Sequence, residues 1–233
     1  MGAVFAKKKA DDLVNPDQQL QERKDYADNL RAQLSIKCHR EKNLEACHAL
    51  GEFFLAFDKN KFMAKDVLHK NCHDAKHGES CLLLGQVHLS YEGEDDRDVK
   101  AAMQHFTEAC RLNVGGGCTM AGIVHGMGID GVYPVNLQAA ADAFGRGCDL
   151  DDKVGCFQGG MIARYAPTPD IVADHPRAAS MFSKACDKGS LMSCREVATM
   201  YEKGIGVPVD AAKAHEYHEK SLPMFRPDEY VAK

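Results

Sequence analysis

Apolar and polar positions along this chain recur about every 38 residues, and within each period they carry helical spacing. In residues 177–194, RAASMFSKACDKGSLMSC, the positions Ala178, Phe182 and Cys186 stand four apart and share one helical face. Lys188-Gly189-Ser190 interrupts that face and offers a new helix start, and Cys194 falls in the first turns of the helix that follows. The expected unit is a pair of antiparallel helices joined by a short turn.

The same pattern runs along the chain in register. Ten cysteines fall into five groups, 38/47, 72/81, 110/118, 148/156 and 186/194, with internal offsets of 9, 9, 8, 8 and 8. Their first members are 34, 38, 38 and 38 residues apart. A fixed period in this range predicts a solenoid of helical hairpins. From the second group on, twelve residues before the first cysteine stands a capping residue: Asn60, Asp98, Asn136 and Asp174. Eight before it stands Ala64, Ala102, Ala140 or Ala178, and four before it Leu68, Phe106, Phe144 or Phe182. Four after each second cysteine stands a small residue, Gly51, Gly85, Gly122, Gly160 or Ala198. Glycine in mid-helix costs about 1 kcal/mol against alanine, so its recurrence predicts close approach of a neighbouring helix backbone.

The ends of the array differ. Residues 1–14 read as a flexible polar tail. Asn15-Pro16 starts a long polar helix over about 16–39, with Leu20, Leu30 and Leu34 on its buried side. The last unit, capped by Asp210 and carrying Ala214, has His218 and Leu222 where its predecessors have a ring and a cysteine. An atypical end unit suits a capped array. Pro223 then stops the helix, and 223–233 reads as a tail, leaving 15–222 as the repeat body of five repeats behind one leading helix.

Composition narrows the function. Of 233 residues, 45% are hydrophobic, enough for a core, and the net charge of −5 comes from mixed acids and bases. With no basic footprint, nucleic acid is not the expected partner. No run of about 18 apolar residues predicts a membrane span, and the start MGAVFAKKKADD has too short an apolar region for a secretory signal. Ten cysteines without such a signal point to the mitochondrial intermembrane space, an oxidising compartment that small proteins enter without a cleaved presequence.

Residues 204–214, GIGVPVDAAKA, resemble the inter-helix loop G-x-G-V-x-x-D-x-x-K-A of the Sel-1-like repeat, a relative of the tetratricopeptide repeat. Gly128-Ile129-Asp130-Gly131-Val132 is a weaker copy. The resemblance, over about 38–222, implies an all-α, right-handed superhelical solenoid of about eleven helices, cross-linked by disulfides. Among cysteine-rich branches of this family, a secreted bacterial one includes members linked to penicillin-binding or β-lactamase-like activity. This chain has no S-x-x-K and no K-T-G, the groups such chemistry needs. Length, five cysteine pairs, the 9-then-8 drift and the leading helix resemble instead a branch of intermembrane-space assembly factors for cytochrome c oxidase. That branch implies a non-enzymatic factor whose partners are respiratory complex IV subunits or other assembly factors, and whose thiols are oxidised by the import machinery of that compartment. The alternatives are a haem- or copper-handling thiol oxidoreductase and a permanent structural subunit of a respiratory complex.

The candidate residues follow. Cys38–Cys47, Cys72–Cys81, Cys110–Cys118, Cys148–Cys156 and Cys186–Cys194 read as disulfides, each tying the second helix of one repeat to the first of the next; the alternative is ten reduced cysteines in alanine-like core positions. The spacing is neither that of a zinc site nor C-x-x-C, and no catalytic residue is expected. His69, His73 and His77 step four apart around Cys72 and, with Cys81, are candidates for haem or copper; the alternative is surface histidines beside a structural cysteine, as for His39 and His48. Met103, Met120, Met127, Met161, Met181, Met192 and Met200 form no M-x-x-M motif and read as core. Glu94 to Asp96 and Asp149 to Asp152 read as solvated loops and helix starts.

Overall fold

The computed structural model describes residues 16–89, 98–129 and 132–222. The tails 1–14 and 223–233, the Asn15 cap, the acidic spot at Glu94 to Asp96 and the Asp130-Gly131 part of the weaker loop copy lie outside the described residues. Among the described residues eleven helices follow one another: α1 (Pro16–His39), α2 (Leu44–Ala56), α3 (Lys61–His73), α4 (Gly78–Leu89), α5 (Val99–Arg111), α6 (Gly115–Met127), α7 (Leu137–Asp149), α8 (Lys153–Tyr165), α9 (His175–Asp187), α10 (Leu191–Lys203) and α11 (Ala211–Ser221). None of them is long and apolar enough to cross a membrane. The chain divides into two compact units, Met1–Leu68 and His69–Lys233, and the division falls inside α3.

In the first unit α1 packs on α2. Leu50, Phe53, Phe54, Ala64, Val67 and Leu68 are buried there. Leu30 and Leu34 are half-buried, but Leu20 is 68% exposed, against the expectation that it is buried. The reason is length. With 24 residues α1 runs about 36 Å, whereas the 13 residues of α2 run about 20 Å, so the first turns of α1 have no stretch of α2 beside them.

In the second unit each helix from α4 onward packs on the next, and α6 on α8 and α9 on α11 as well. The repeated columns explain this. Asp98, Asn136, Asp174 and Asp210 accept hydrogen bonds at 2.9–3.0 Å from the backbone N–H three residues on, satisfying an amide that the first turn leaves without a helical partner. Ala102, Ala140, Ala178 and Ala214 are buried one turn inside, and Phe106, Phe144 and Phe182 one turn further.

The glycine column meets chiefly these rings, and at Gly85 also the backbone carbonyl of Ala102, 3.1 Å from a Cβ built there. A Cβ built on Gly85, Gly122 or Gly160 stands 2.6–2.7 Å from Phe106, Phe144 or Phe182 respectively. In the last unit no ring fills that slot: His218 lies at the surface against Glu202 (2.8 Å), and Ala198 is accommodated. The methionines divide. Met103, Met181 and Met200 are buried, whereas Met127 and Met192 are exposed. The latter two sit in the last and first turns of their helices, where no further turn covers them.

Candidate functional site

The disulfide turns come first because they fix everything near them. The structure pairs Cys38 with Cys47, Cys72 with Cys81, Cys110 with Cys118, Cys148 with Cys156 and Cys186 with Cys194, with Cα atoms 4.3–4.8 Å apart. Each bond closes a short turn between consecutive helices, and each turn has one residue at positive φ: Lys42, Lys76, Asn113, Asp151 and Gly189. Lys42 and Lys76 come four residues after the first cysteine, the other three only three after it. That one extra residue before the left-handed position is the whole difference between offsets of 9 and 8.

The residue after the left-handed one caps the next helix. Asn43, Asp152 and Ser190 accept from the N–H three residues on. His77 holds the same place before α4. Its Nδ1 accepts from the Ser80 N–H (3.3 Å) and lies 2.9 Å from Ser80 Oγ, which also accepts from Asn71 Nδ2 at 2.8 Å. His77 is therefore built into a turn. The expected set of His69, His73, His77 and Cys81 is not brought together: Cys81 is bonded to Cys72, and α3 ends at His73, so the four-residue stepping stops before His77.

The structure gathers a different set. His69 and His73 occupy one face of α3, their ring centroids 4.4 Å apart. His105 of α5 comes against them, with His73 Nε2 3.2 Å from His105 Nδ1. One ligand atom from each of His69, His73 and His105 falls within 4.8 Å of the others. His88 of α4 also stands against His105, at 5.2 Å between centroids. His69 is exposed, His73 half-buried and His105 buried, so the set leads from solvent inward.

Sequence reasoning missed His105, although a signal exists. From the second cysteine group on, five residues before the first cysteine stand Val67, His105, Ala143 and Met181. His105 is the polar member of an apolar column.

Electrostatics disfavour a charge on two of these rings. Burial, followed by His88, His73 and His69, pushes the His105 pKa down to about 4, with Asp98 opposing. Burial, then His69 and Lys76, lowers His73, while Glu108 and Asp74 act the other way. Glu108 is held down to about 2, first by its hydrogen bonds to Arg111 at 2.6 and 2.8 Å, and Lys76 approaches it at 3.6 Å. Three imidazoles gathered in this way can take a transition metal ion; no nucleophile with an activating base stands among them. In the first unit, His39 Nδ1 lies 3.7 Å from Cys38 Sγ, and His48 faces Glu52 at 3.7 Å.

Comparison with known proteins places this geometry. The family model of the Sel1 repeat matches residues 78–114, 168–190 and 191–222, so the chain carries Sel1 repeats there. The cytochrome c oxidase assembly factor 7 of Danio rerio is 29% identical over 90 residues, covering 39% of each chain. The assembly factor 7A of Xenopus laevis is 31% identical over 96 residues, covering 41% of each. The match thus spans about two fifths of the length of these relatives. Among solved structures, a Sel1 repeat protein from Oxalobacter formigenes superposes with a TM-score of 0.66 at 18% identity, over 89% of this chain and 84% of that one. A protective antigen of uropathogenic Escherichia coli with an SLR fold gives 0.67 at 20% identity, over 82% of this chain and 40% of that one. The fold is that of an all-α solenoid of Sel1 repeats.

Proposed function

We propose that this chain is a non-enzymatic factor of the mitochondrial intermembrane space that holds client proteins, subunits or helper factors of complex IV, while cytochrome c oxidase is assembled. The observation that carries the reading is the combination of five disulfide pairs on a Sel1-repeat fold with similarity to two proteins named cytochrome c oxidase assembly factors. Five disulfides require an oxidising compartment. The oxidative import machinery of the intermembrane space would close them after entry.

The physical arrangement supports client binding. Disulfides sit in the short turns between α3 and α4, α5 and α6, α7 and α8, and α9 and α10. Because consecutive helices reverse direction, the longer loops of the second unit fall at the other ends of the helices. There the exposed apolar side chains Met127, Val135, Val172 and Val209 stand. A rigid row of such loops can hold an extended client at low ordering cost.

The test is a cell line lacking the chain. Cytochrome c oxidase should fall while general protein import is spared, and wild-type chain should restore it. Normal oxidase in the knockout, or a chain that stays protease-protected after the outer membrane is ruptured, overturns the proposal.

A further inference from the structure

We propose that His69, His73 and His105 form a binding site for one borderline divalent transition metal ion, with zinc(II) as its simplest occupant. The backbone argument is that two histidines four apart on a helix present their rings on one face, a spacing that suits metal capture. His69 and His73 do this on α3, and α5 supplies the third imidazole.

Distances fit the ion. Zinc–nitrogen bonds of about 2.0–2.1 Å in a tetrahedron require ligand nitrogens about 3.3–3.4 Å apart. His73 Nε2 and His105 Nδ1 are 3.2 Å apart, and the three ligand atoms lie within 4.8 Å, so a change in the His69 rotamer closes the set. His69 is the exposed member, free to make that change, and it leaves the fourth position to water. With the metal absent, one of the two facing rings donates to the other. On binding, that ring moves its proton to its other nitrogen, and no net proton is released above the imidazole range.

The donor set selects the class of ion. All ten cysteines are in disulfides, so no thiolate is present to favour copper(I). Three neutral nitrogens are a poor offer to calcium or magnesium, which take oxygen. Zinc(II), copper(II) and nickel(II) are the ions that imidazole suits. Burying a histidine in a column otherwise held by Val67, Ala143 and Met181 has a cost that a metal site would explain.

The test uses the full-length oxidised chain. Zinc(II) is titrated against a chromophoric chelator, and cobalt(II) serves as a spectroscopic probe. The expected result is one zinc per chain, a visible cobalt spectrum, and a melting temperature that rises with zinc. His69→Gln and His73→Gln should each weaken binding at least about tenfold, and His69→Gln, at the exposed member, should leave the metal-free melt unchanged. His215→Gln, on α11, should leave binding unchanged. Absence of saturable binding, or undiminished binding in the His69→Gln/His73→Gln double variant, overturns the site.

Discussion

Alanine at Gly122 and alanine at Gly126 should shift stability in opposite directions, although both lie on α6. Each change gains helix propensity, about 0.5–1 kcal/mol. At Gly126 the new Cβ stands 3.5 Å from Ala140 Cβ, an ordinary contact, so the gain is kept. At Gly122 it stands 2.7 Å from Cδ1 and Cε1 of Phe144, a buried ring. Carbon atoms pack best at about 3.5–4.0 Å, so the ring must retreat by about 1 Å into an occupied core. Such overpacking costs about 1–3 kcal/mol, which exceeds the propensity gain. The net expectation is a loss of about 0.5–2 kcal/mol for Gly122→Ala, against a gain of about 0.5–1 kcal/mol for Gly126→Ala. For a chain this size each kcal/mol moves the melting temperature by about 2–4 °C, so the two variants should separate by several degrees. Thermal and urea melts under non-reducing conditions measure it. If Gly122→Ala stabilises as much as Gly126→Ala, glycine is not there to admit the ring, and the column has been misread.

Cys148→Ser should lower the melting temperature more than Cys186→Ser in side-by-side non-reducing melts, because a break mid-array separates two short stacks; either lost crosslink removes about 2.5 kcal/mol by chain entropy. His105 titrates near 4 in the fold and near 6.5 when unfolded, so the unfolded chain binds more protons between those values. Stability should be fully present above about pH 6.5 and decline toward pH 4 in the metal-free protein, with His69, His73, His88 and Asp98 facing the ring. His105→Met, the residue that Met181 supplies in the same column, should flatten that decline in pH-dependent urea melts.

The columns could be read from the sequence because each residue type answers a local requirement that recurs. Aspartate or asparagine caps, alanine lets helices approach, and phenylalanine fills the gap that glycine leaves opposite. None of these needs a distant partner to be recognised. The long helix 16–39 was equally legible, since Pro16 marks its start, but the fate of Leu20 depended on how far α2 reaches, which periodicity does not encode. His77 was misplaced because four-residue stepping was followed through a turn; the left-handed Lys76 breaks it. His105 escaped because its partners are 32 and 36 residues away in sequence, and only the column comparison with Val67 and Met181 marks it as out of character. The glycine column was recognised, but its partner was taken to be backbone, which holds only at Gly85 beside the Ala102 carbonyl and there together with the Phe106 ring, because a period reveals that space is required and not what fills it.

These placements bear on how the second unit would combine rigidity with recognition. Crosslinks and buried cysteines concentrate at the short turns, and there the chain tolerates positive φ at Lys76, Asn113 and Asp151, a strain that a covalent bond helps to hold. The longer loops carry no such bond. They vary in kind: an isolated bridge between Ile129 and Tyr133, a proline-containing turn around Thr168 and Ile171, and glycine turns at Gly204 and Gly206. Each nevertheless delivers the chain to the same cap, Asn136, Asp174 or Asp210. Fixed caps on one side of a loop and a fixed helix end on the other let the loop sequence change without disturbing the stack. That is the freedom a client-binding surface needs. Substituting Val172 and Val209 with serine should therefore weaken client capture while leaving the melting temperature within about 1 °C of wild type, since exposed positions contribute little to the core. Crosslinking to oxidase subunits in mitochondria, run beside purified-protein melts, reads both quantities. Unchanged crosslinking with an unchanged melt would move the client surface away from these loops.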